Sequence, residues 1–422
     1  MTVRIAKEAL AVNSALFLGM AFLMLGAGLQ STLLGVRATL EGFSTFVTGA
    51  VMTGYYVGYI AGSLAAPSLV RRVGHIRVFA ALTATAAAAI LVQGILVGPW
   101  EWALLRGISG VAFAGIYVVA ESWLNDRADR RSRGTLLATY MIVIYVGLGA
   151  GQFLLNAADP RGDELFVLIG VLISIAVVPM ALTAQRAPEF ALPRRVTFRE
   201  VLQISPLGTV GAFFSGFATA TFFAVGPVYA SRSGLDAADV AMFMACGILP
   251  AIVLQLPLGR LSDRLDRRSV LMAMAVAAAV AGALALQTRS GSLPVFFAAV
   301  ALYGGLSLTM YALCVSHIND HLKPEQMVAA SATVLLVNGA GSVLGPILVS
   351  AAMELTRPSA FFACVIAMHS AFALYAGWRK RRTDPVPDAA KVRFAGAPPQ
   401  VAPTGRLVAV EVEAEALPRP RD

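Results

Sequence analysis

The sequence predicts an all-α membrane protein with twelve transmembrane helices in two pseudo-symmetric six-helix bundles. Three observations carry that prediction. Twelve stretches of about 20 apolar residues fill the chain, the length a helix needs to cross the hydrocarbon core of a bilayer. The short loops between them alternate between arginine-rich and arginine-poor, as expected of a chain that crosses repeatedly. The second six stretches then repeat polar and glycine positions of the first six.

The apolar runs lie near 13–36, 44–69, 76–97, 100–124, 134–155, 164–184, 204–230, 239–258, 270–288, 293–317, 328–353 and 359–378. Arg4 and Lys7 precede the first run, which is full length and lacks a small-residue cleavage site, so it reads as a span and not a leader. Apolar residues make up 58% and charged residues 14%, with a mean hydropathy of +0.73. Globular chains run nearer to about 45–50% apolar and about 25% charged. A net charge of +9 would suit nucleic acid. Here the arginines sit in short loops between apolar helices, so no nucleic-acid partner is expected.

One set of loops and ends holds the basic clusters: Arg4 and Lys7; Arg71, Arg72 and Arg77; Arg127, Arg130, Arg131 and Arg133; Arg186, Arg194, Arg195 and Arg199; Arg260, Arg264, Arg267 and Arg268; Lys323; and Arg379 to Arg382. The other set holds single arginines, Arg37, Arg161, Arg232, Arg289 and Arg357. That asymmetry places both termini in the cytoplasm. The longest internal connection splits the chain into a bundle at 1–190, a linker at 191–203 and a second bundle at 204–380. Residues 381–422 turn basic, then rich in Pro, Ala and Glu, and read as a flexible cytoplasmic tail. Alternation across Val408, Val410 and Val412 leaves a strand that pairs with a partner as the alternative.

The internal repeat runs at an offset of about 194, the spacing at which parallel six-span repeats would match. Gly110, Tyr117, Ser122, Asn125 and Asp126 of span 4 match Gly304, Tyr311, Ser316, Asn319 and Asp320 of span 10. Thr139, Gly147 and Gly151 of span 5 match Thr333, Gly341 and Gly345 of span 11.

The loop between spans 8 and 9 reads Gly259-Arg-Leu-Ser-Asp263-Arg264-Leu-Asp266-Arg267-Arg268. It resembles the G-x-x-x-D-R-x-G-R-R signature of the major facilitator superfamily, with Asp266 in place of the second glycine. The loop between spans 2 and 3, Pro67-Ser-Leu-Val-Arg71-Arg72-Val-Gly74-His75, keeps that glycine but has Arg71 for the aspartate. Arg106-Gly-Ile-Ser109-Gly110 is similar to the superfamily's span 4 motif, R-x-x-Q-G, with serine for glutamine. The resemblance covers roughly residues 10–380 and points to a bacterial branch. It implies two bundles rocking about a central site, and a cytoplasmic latch in which Asp263, Arg267 and Asp320 form an acid–arginine–acid relay beside Arg264. In the first half only Asp126 matches the relay, so the latch is expected to be asymmetric. It also implies a coupling role for Arg106, against which stand the serine and the absence of Asp or Glu from span 1. Gly341-Ser-Val-Leu-Gly345-Pro346 echoes an antiporter pattern in the wrong span.

Span 4 carries the most telling intramembrane charges. Arg106 and Glu121 are 15 residues apart, about 22 Å along a helix, so they cannot pair with each other. An unpaired charge in lipid is costly, so the stripe through Gly110, Phe113 and Tyr117 should face protein or a wet cavity. Arg106 fits an anion contact, a coupling residue or a tie between helices. Glu121 fits a cavity residue or a partner of Arg71 or Arg72. Softer candidates for a polar, aromatic-lined cavity are Gln30, Tyr55, Tyr59, Gln152, Asn156 and Asn338, beside the phenylalanines of span 7. Gly54, Gly58 and Gly62, and separately Gly147 and Gly151, suit close helix packing.

Enzymatic chemistry finds no foothold. There is no GxxxxGK[ST] loop for ATP, no metal spacing among His75, His317, His321 and His369, and no CxxC among Cys246, Cys314 and Cys364. No cofactor or metal is expected. The reading is a secondary transporter of a small-molecule solute, monomeric in the bilayer, driven by an ion gradient with protons first. Export of amphipathic compounds is the alternative. A transporter-like sensor or lipid-handling protein is the alternative of another class.

Overall fold

The computed structural model describes residues 13–127, 133–182, 197–289, 291–382, 384–387, 391, 392 and 394; within these, the side chains of 125–127, 133, 134, 324, 325, 328 and 329 are not described. Helices follow the apolar runs in order: α1 (Ser14–Leu40), α2 (Thr45–Val73), α3 (His75–Ile95), α4 (Pro99–Arg127), α5 (Arg133–Phe153), α6 (Glu164–Ile175), α7 (Val177–Ala181), α8 (Phe198–Ile204), α9 (Pro206–Arg232), α10 (Ala237–Ile248), α11 (Pro250–Arg264), α12 (Arg267–Thr288), α13 (Leu293–Asn319), α14 (Pro324–Leu355) and α15 (Ala360–Lys380). Among the described residues there is no strand. Spans 6 and 8 are each two helices, broken at Ala176 and at Leu249 before Pro250, where the missing N–H interrupts the ladder.

Eleven of these elements, counting α6 with α7 and α10 with α11, are long and apolar enough to cross a membrane. The helix α2 has the length but a more polar content, with three tyrosines and several glycines and threonines. Apolar side chains such as Val253, Leu374 and Leu104 are exposed on the outer surface, as lipid-facing positions must be. Helix starts carry local signals. Ser44 accepts from Val47 N at 3.3 Å, Asp236 accepts from Asp239 N at 2.8 Å, and Thr197 with Glu200 forms a capping box on the short helix α8.

The helices form two six-helix bundles, and the repeat seen in the sequence is a repeat of contacts. Glycines carry it. A Cβ on Gly110 would strike the Tyr55 carbonyl of α2, and one on Gly304 would strike the Gly247 carbonyl of α10, its counterpart. Gly147 and Gly151 of α5 lie against Ala21 and Leu25 of α1. Their matches, Gly341 and Gly345 of α14, lie against Phe213 and Phe217 of α9. Gly54, Gly58 and Gly62 bring α2 onto the carbonyls of Ala103, Gly107 and Val111 in α4. These are packing faces, as their spacing suggests.

Gly58→Ala should therefore destabilise the first bundle by about 1–3 kcal/mol, because its methyl has only a backbone carbonyl to meet. Gly107→Ala should be near neutral, since its nearest contact would lie at 3.7 Å. Thermal unfolding of the two purified variants decides it. Equal losses would remove close backbone approach as the explanation.

Candidate functional site

On α4 the charged stripe is buried and faces protein. Arg106 is 5% exposed and Glu121 is 6% exposed. The Arg106 guanidinium sits 4.5 Å from the Tyr55 ring centroid, a cation–π contact. Its Nε has no hydrogen-bond partner, and among the described residues it forms no ion pair. Glu121 Oε1 is likewise buried and without a partner among the described residues. The expected pairing of Glu121 with Arg71 or Arg72 does not form. Those arginines are exposed at the end of α2, whereas Glu121 lies inside the bundle within electrostatic range of Tyr117, Tyr140 and Tyr311.

Aromatic rings fill the space between the two charges. Tyr55 lies 6.0 Å from Tyr59 and 6.2 Å from Phe113. Tyr117 lies 6.3 Å from both Tyr59 and Phe113. The hydroxyl of Tyr117 reaches Met24 Sδ at 3.3 Å. Tyr56, which the sequence reading passed over, donates to the Ala220 carbonyl of α9 at 3.5 Å, across to the second bundle.

Of the softer candidates, Tyr55 and Tyr59 join this stripe, but the four amides do not. Gln30 reaches Gln93 on α3 at 3.5 Å. Gln152 is saturated by Thr32 and by the carbonyls of Gly28 and Leu148, at 3.1 and 2.8 Å for the last two. Asn338 donates to the Ala212 carbonyl of α9 at 3.0 Å. A buried amide without water needs exactly such partners to avoid an unmet polar group, so these three tie helices within a bundle. Asn156 is exposed in a 3₁₀ turn beyond α5.

The signature loop forms the relay its residues suggest. Arg267 Nη2 holds Asp263 at 2.7 Å and Arg267 Nη1 holds Asp320 at 3.2 Å. The side chains of Arg267 and Asp320 are each 1% exposed, that of Asp263 29%. Arg264 is exposed and stands outside the relay. The side chain of Asp126 lies outside the described residues. Asp266 is no defect in the motif: it caps α12, accepting from Arg268 N at 3.1 Å and from Ser269 Oγ at 3.2 Å. At the matching corner Gly74 has φ 93°, a conformation that favours glycine. His75 bonds Ser122 Oγ at 3.0 Å there, and Arg71 and Arg72 are basic in the last turn before it. Burial raises the Asp320 carboxyl from 3.8 to about 6, opposed by Arg267, the Val392 amide and Lys391 and reinforced by Asp263.

The tail is not free where it is described. Val392 N donates to Asp320 Oδ1 at 2.9 Å, Phe394 N donates to Asp263 at 3.0 and 3.2 Å, and Arg267 donates to the Val392 carbonyl at 2.8 Å. Residues 408–412, the alternative strand, lie outside the described residues.

The two bundles touch at the arginine-poor end. Glu354 of α14 accepts from the first amides of α2, Thr45 at 2.7 Å and Phe46 at 3.3 Å. Arg232 donates to the Phe43 carbonyl at 2.6 Å. Gly35 meets Pro227 and Gly49 meets Ser350. Contact between α2 and α14 continues to Ile60 and Gly339. Past that depth an apolar cavity of about 650 Å³ opens between α2, α8, α9 and α14, lined by Leu64, Phe198, Phe213 and Leu336 among others. Glu354 gave no signal in the sequence, because a single acid at a helix end has no pattern.

Two outcomes follow. Glu354→Gln removes a carboxylate from a helix N-terminus, worth about 1 kcal/mol. It should raise maleimide labelling of a cysteine at Thr53 about fivefold; unchanged labelling would dismiss it as a clamp. Asp320 should titrate near pH 6 by infrared spectroscopy, with the band absent in Asp320→Asn. The folded chain binds that proton more readily than the unfolded one, so this group's contribution to stability falls as pH rises from 3.8 to about 6. No band near pH 6 would refute its burial as a charged partner.

The sequence profile of the Major Facilitator Superfamily matches residues 16–249 and 208–411. Relatives from Escherichia fergusonii and Escherichia coli, both described as uncharacterized MFS-type transporter YcaD, are 28% identical over 330 residues, covering 78% of this chain and 85% of theirs. Among solved structures, nucleoside transporter NupG superposes with a TM-score of 0.68 at 15% identity, over 87% of this chain and 98% of its own. A bacterial homolog of the human lysosomal transporter Spinster, inward-facing and occupied, superposes with a TM-score of 0.70 at 15% identity, over 90% of this chain and 98% of its own. With the profile covering both halves of a multi-pass helical membrane protein, this chain belongs to the Major Facilitator Superfamily of transporters.

Proposed function

We propose that this chain is a proton-coupled secondary transporter of small organic anions, working as a monomer by alternating access in a bacterial inner membrane. The bundle before residue 190 rocks against the bundle after residue 204. The arginine-rich loops support cytoplasmic termini; on that orientation the clamp at Glu354 and Arg232 is the outer gate and the relay lies at the inner one. The observation that carries the reading is the partner deficit on α4. A buried cation at Arg106 and a buried acid at Glu121 each have an unmet polar atom among the described residues, with a ladder of rings between them. Charge of that kind is costly in a membrane unless something completes it. An anionic solute completes Arg106. A proton completes Glu121. Tyr55, Tyr59 and Tyr117 give the solute aromatic walls.

A second reading, export of amphipathic compounds, draws on the apolar cavity beside α8. Its volume lies within the usual range of small-molecule pockets, about 300–1,000 Å³.

Screening the purified protein by thermal shift against organic anions and hydrophobic cations separates the two, since a ligand that prefers the native state raises Tm. An anion hit should lose its shift in Arg106→Ala, and its uptake into proteoliposomes should follow an imposed pH gradient. Glu121→Gln should keep counterflow but lose gradient-driven accumulation by about a hundredfold, the scale of removing a proton-transfer group. A full shift in Arg106→Ala dismisses the anion site. Accumulation that survives in Glu121→Gln dismisses the coupling role.

A further inference from the structure

The relay in the signature loop carries two carboxylates and one guanidinium. Asp263 and Asp320 both bind Arg267, which leaves an excess of negative charge at a site where one acid and the arginine are almost wholly buried. Such a group needs further donors. In this chain they come from the C-terminal segment. Val392 N–H points to Asp320 and Phe394 N–H to Asp263. The two amides are two residues apart in sequence, so a single short segment serves both acids. The intervening geometry is closed from the other direction too, with Arg267 donating to the Val392 carbonyl and Lys391 Nζ donating to the Leu265 carbonyl at 2.8 Å.

Side chains anchor the same segment. The Phe394 ring lies over Gly259, where any Cβ would collide with it. Val392 and Phe394 also pack against the apolar cluster of Val201, Ala312, Val315 and Ile318, contributed by α8 and α13. The signature glycine therefore accommodates an aromatic ring of the tail.

The segment uses atoms that gate closure needs. Phe394 N–H reaches both oxygens of Asp263. The helix α11 that carries Asp263 at its C-terminal turn packs beside α5 of the other bundle, and α5 begins at Arg133 on the arginine-rich face, where the first amides of a helix have no intrahelical partner. Those amides are the donors that would meet Asp263 if the bundles converged at that end. The strap takes their place.

We infer that Lys391, Val392 and Phe394 form a built-in ligand of the signature loop, which holds the arginine-rich end open by occupying Asp263 and Asp320 and must leave before that end can close. This rests on the alternating-access reading above, but its first test does not. Hydrogen exchange on the full chain in nanodiscs should show the Val392 and Phe394 amides protected, and Asp320→Asn with Asp263→Asn should release them. Exchange at the rate of a free peptide overturns the proposal.

The second test reads the gate. Leu64, on the wall of the apolar cavity, becomes the reporter as Leu64→Cys in a chain whose Cys246, Cys314 and Cys364 are replaced by alanine. Ending the chain after Arg382 should slow maleimide labelling about tenfold, the equivalent of one hydrogen bond to a charged group. A synthetic peptide of residues 384–400 should restore the rate. Phe394→Ala, which keeps the amide, should give an intermediate rate, and Val392→Pro, which deletes a donor, should resemble truncation. Labelling indifferent to truncation overturns the proposal even if the amides are protected. Protection and a labelling response without any solute flux would count against the transport reading and leave the strap standing.

Discussion

A helix in hydrocarbon gains nothing by turning apolar side chains toward a neighbour, because the lipid is just as apolar. Association must come from close contact of surfaces and from a few interhelical hydrogen bonds. The glycine faces of this chain satisfy that constraint. They let α2 rest on α4 backbone to backbone, and α5 on α1, then do the same for the matching pairs in the second half. Each bundle is thereby locked through its main chain, where rotamer changes cannot loosen it. The seam between the bundles has fewer such contacts, so on the alternating-access reading movement falls there.

Polar side chains divide along the same line. Gln30, Gln152 and Asn338 each find partners inside their own bundle. Their hydrogen bonds are constant through any movement of one half against the other, which is why they suit a scaffold and not a gate. Glu354 and Arg232 instead reach the other half, and both bind backbone groups at helix ends. A carboxylate on free helix amides is favourable but exposed, so it can be exchanged for water at modest cost. That is the property a reversible clamp requires.

The sequence was readable wherever physics imposes a period or a run. Spans had to be about 20 apolar residues long, and the helices follow them. The repeat at Gly147 and Gly341 was legible because a missing side chain leaves a mark in the spacing. Arg106 and Glu121 stood out because charge inside a span is rare. What could not be read was direction. Gln152 and Tyr117 look alike as polar residues on an apolar helix, and only the positions of Thr32 and the Gly28 carbonyl make the first a tie. The contacts of the tail were hidden for a related reason. Its composition is that of a disordered segment, but two amides and a phenylalanine need no compositional signal to dock on a site already short of donors.

The two corners of the fold make the same turn by different chemistry, and the difference has a consequence. Gly74 turns the first corner with a left-handed backbone, and His75 bonds Ser122 across it. Asp266 turns the second by capping α12, which leaves Arg267 free to hold two acids. The first corner has Arg71 where the second has Asp263, so it lacks that acid. A corner with two acids and one arginine always lacks donors, and whichever group supplies them is stabilised there at the expense of its competitors. The asymmetry in the signature therefore sets where control can act: on the second bundle's loop, where the chain's own end already competes.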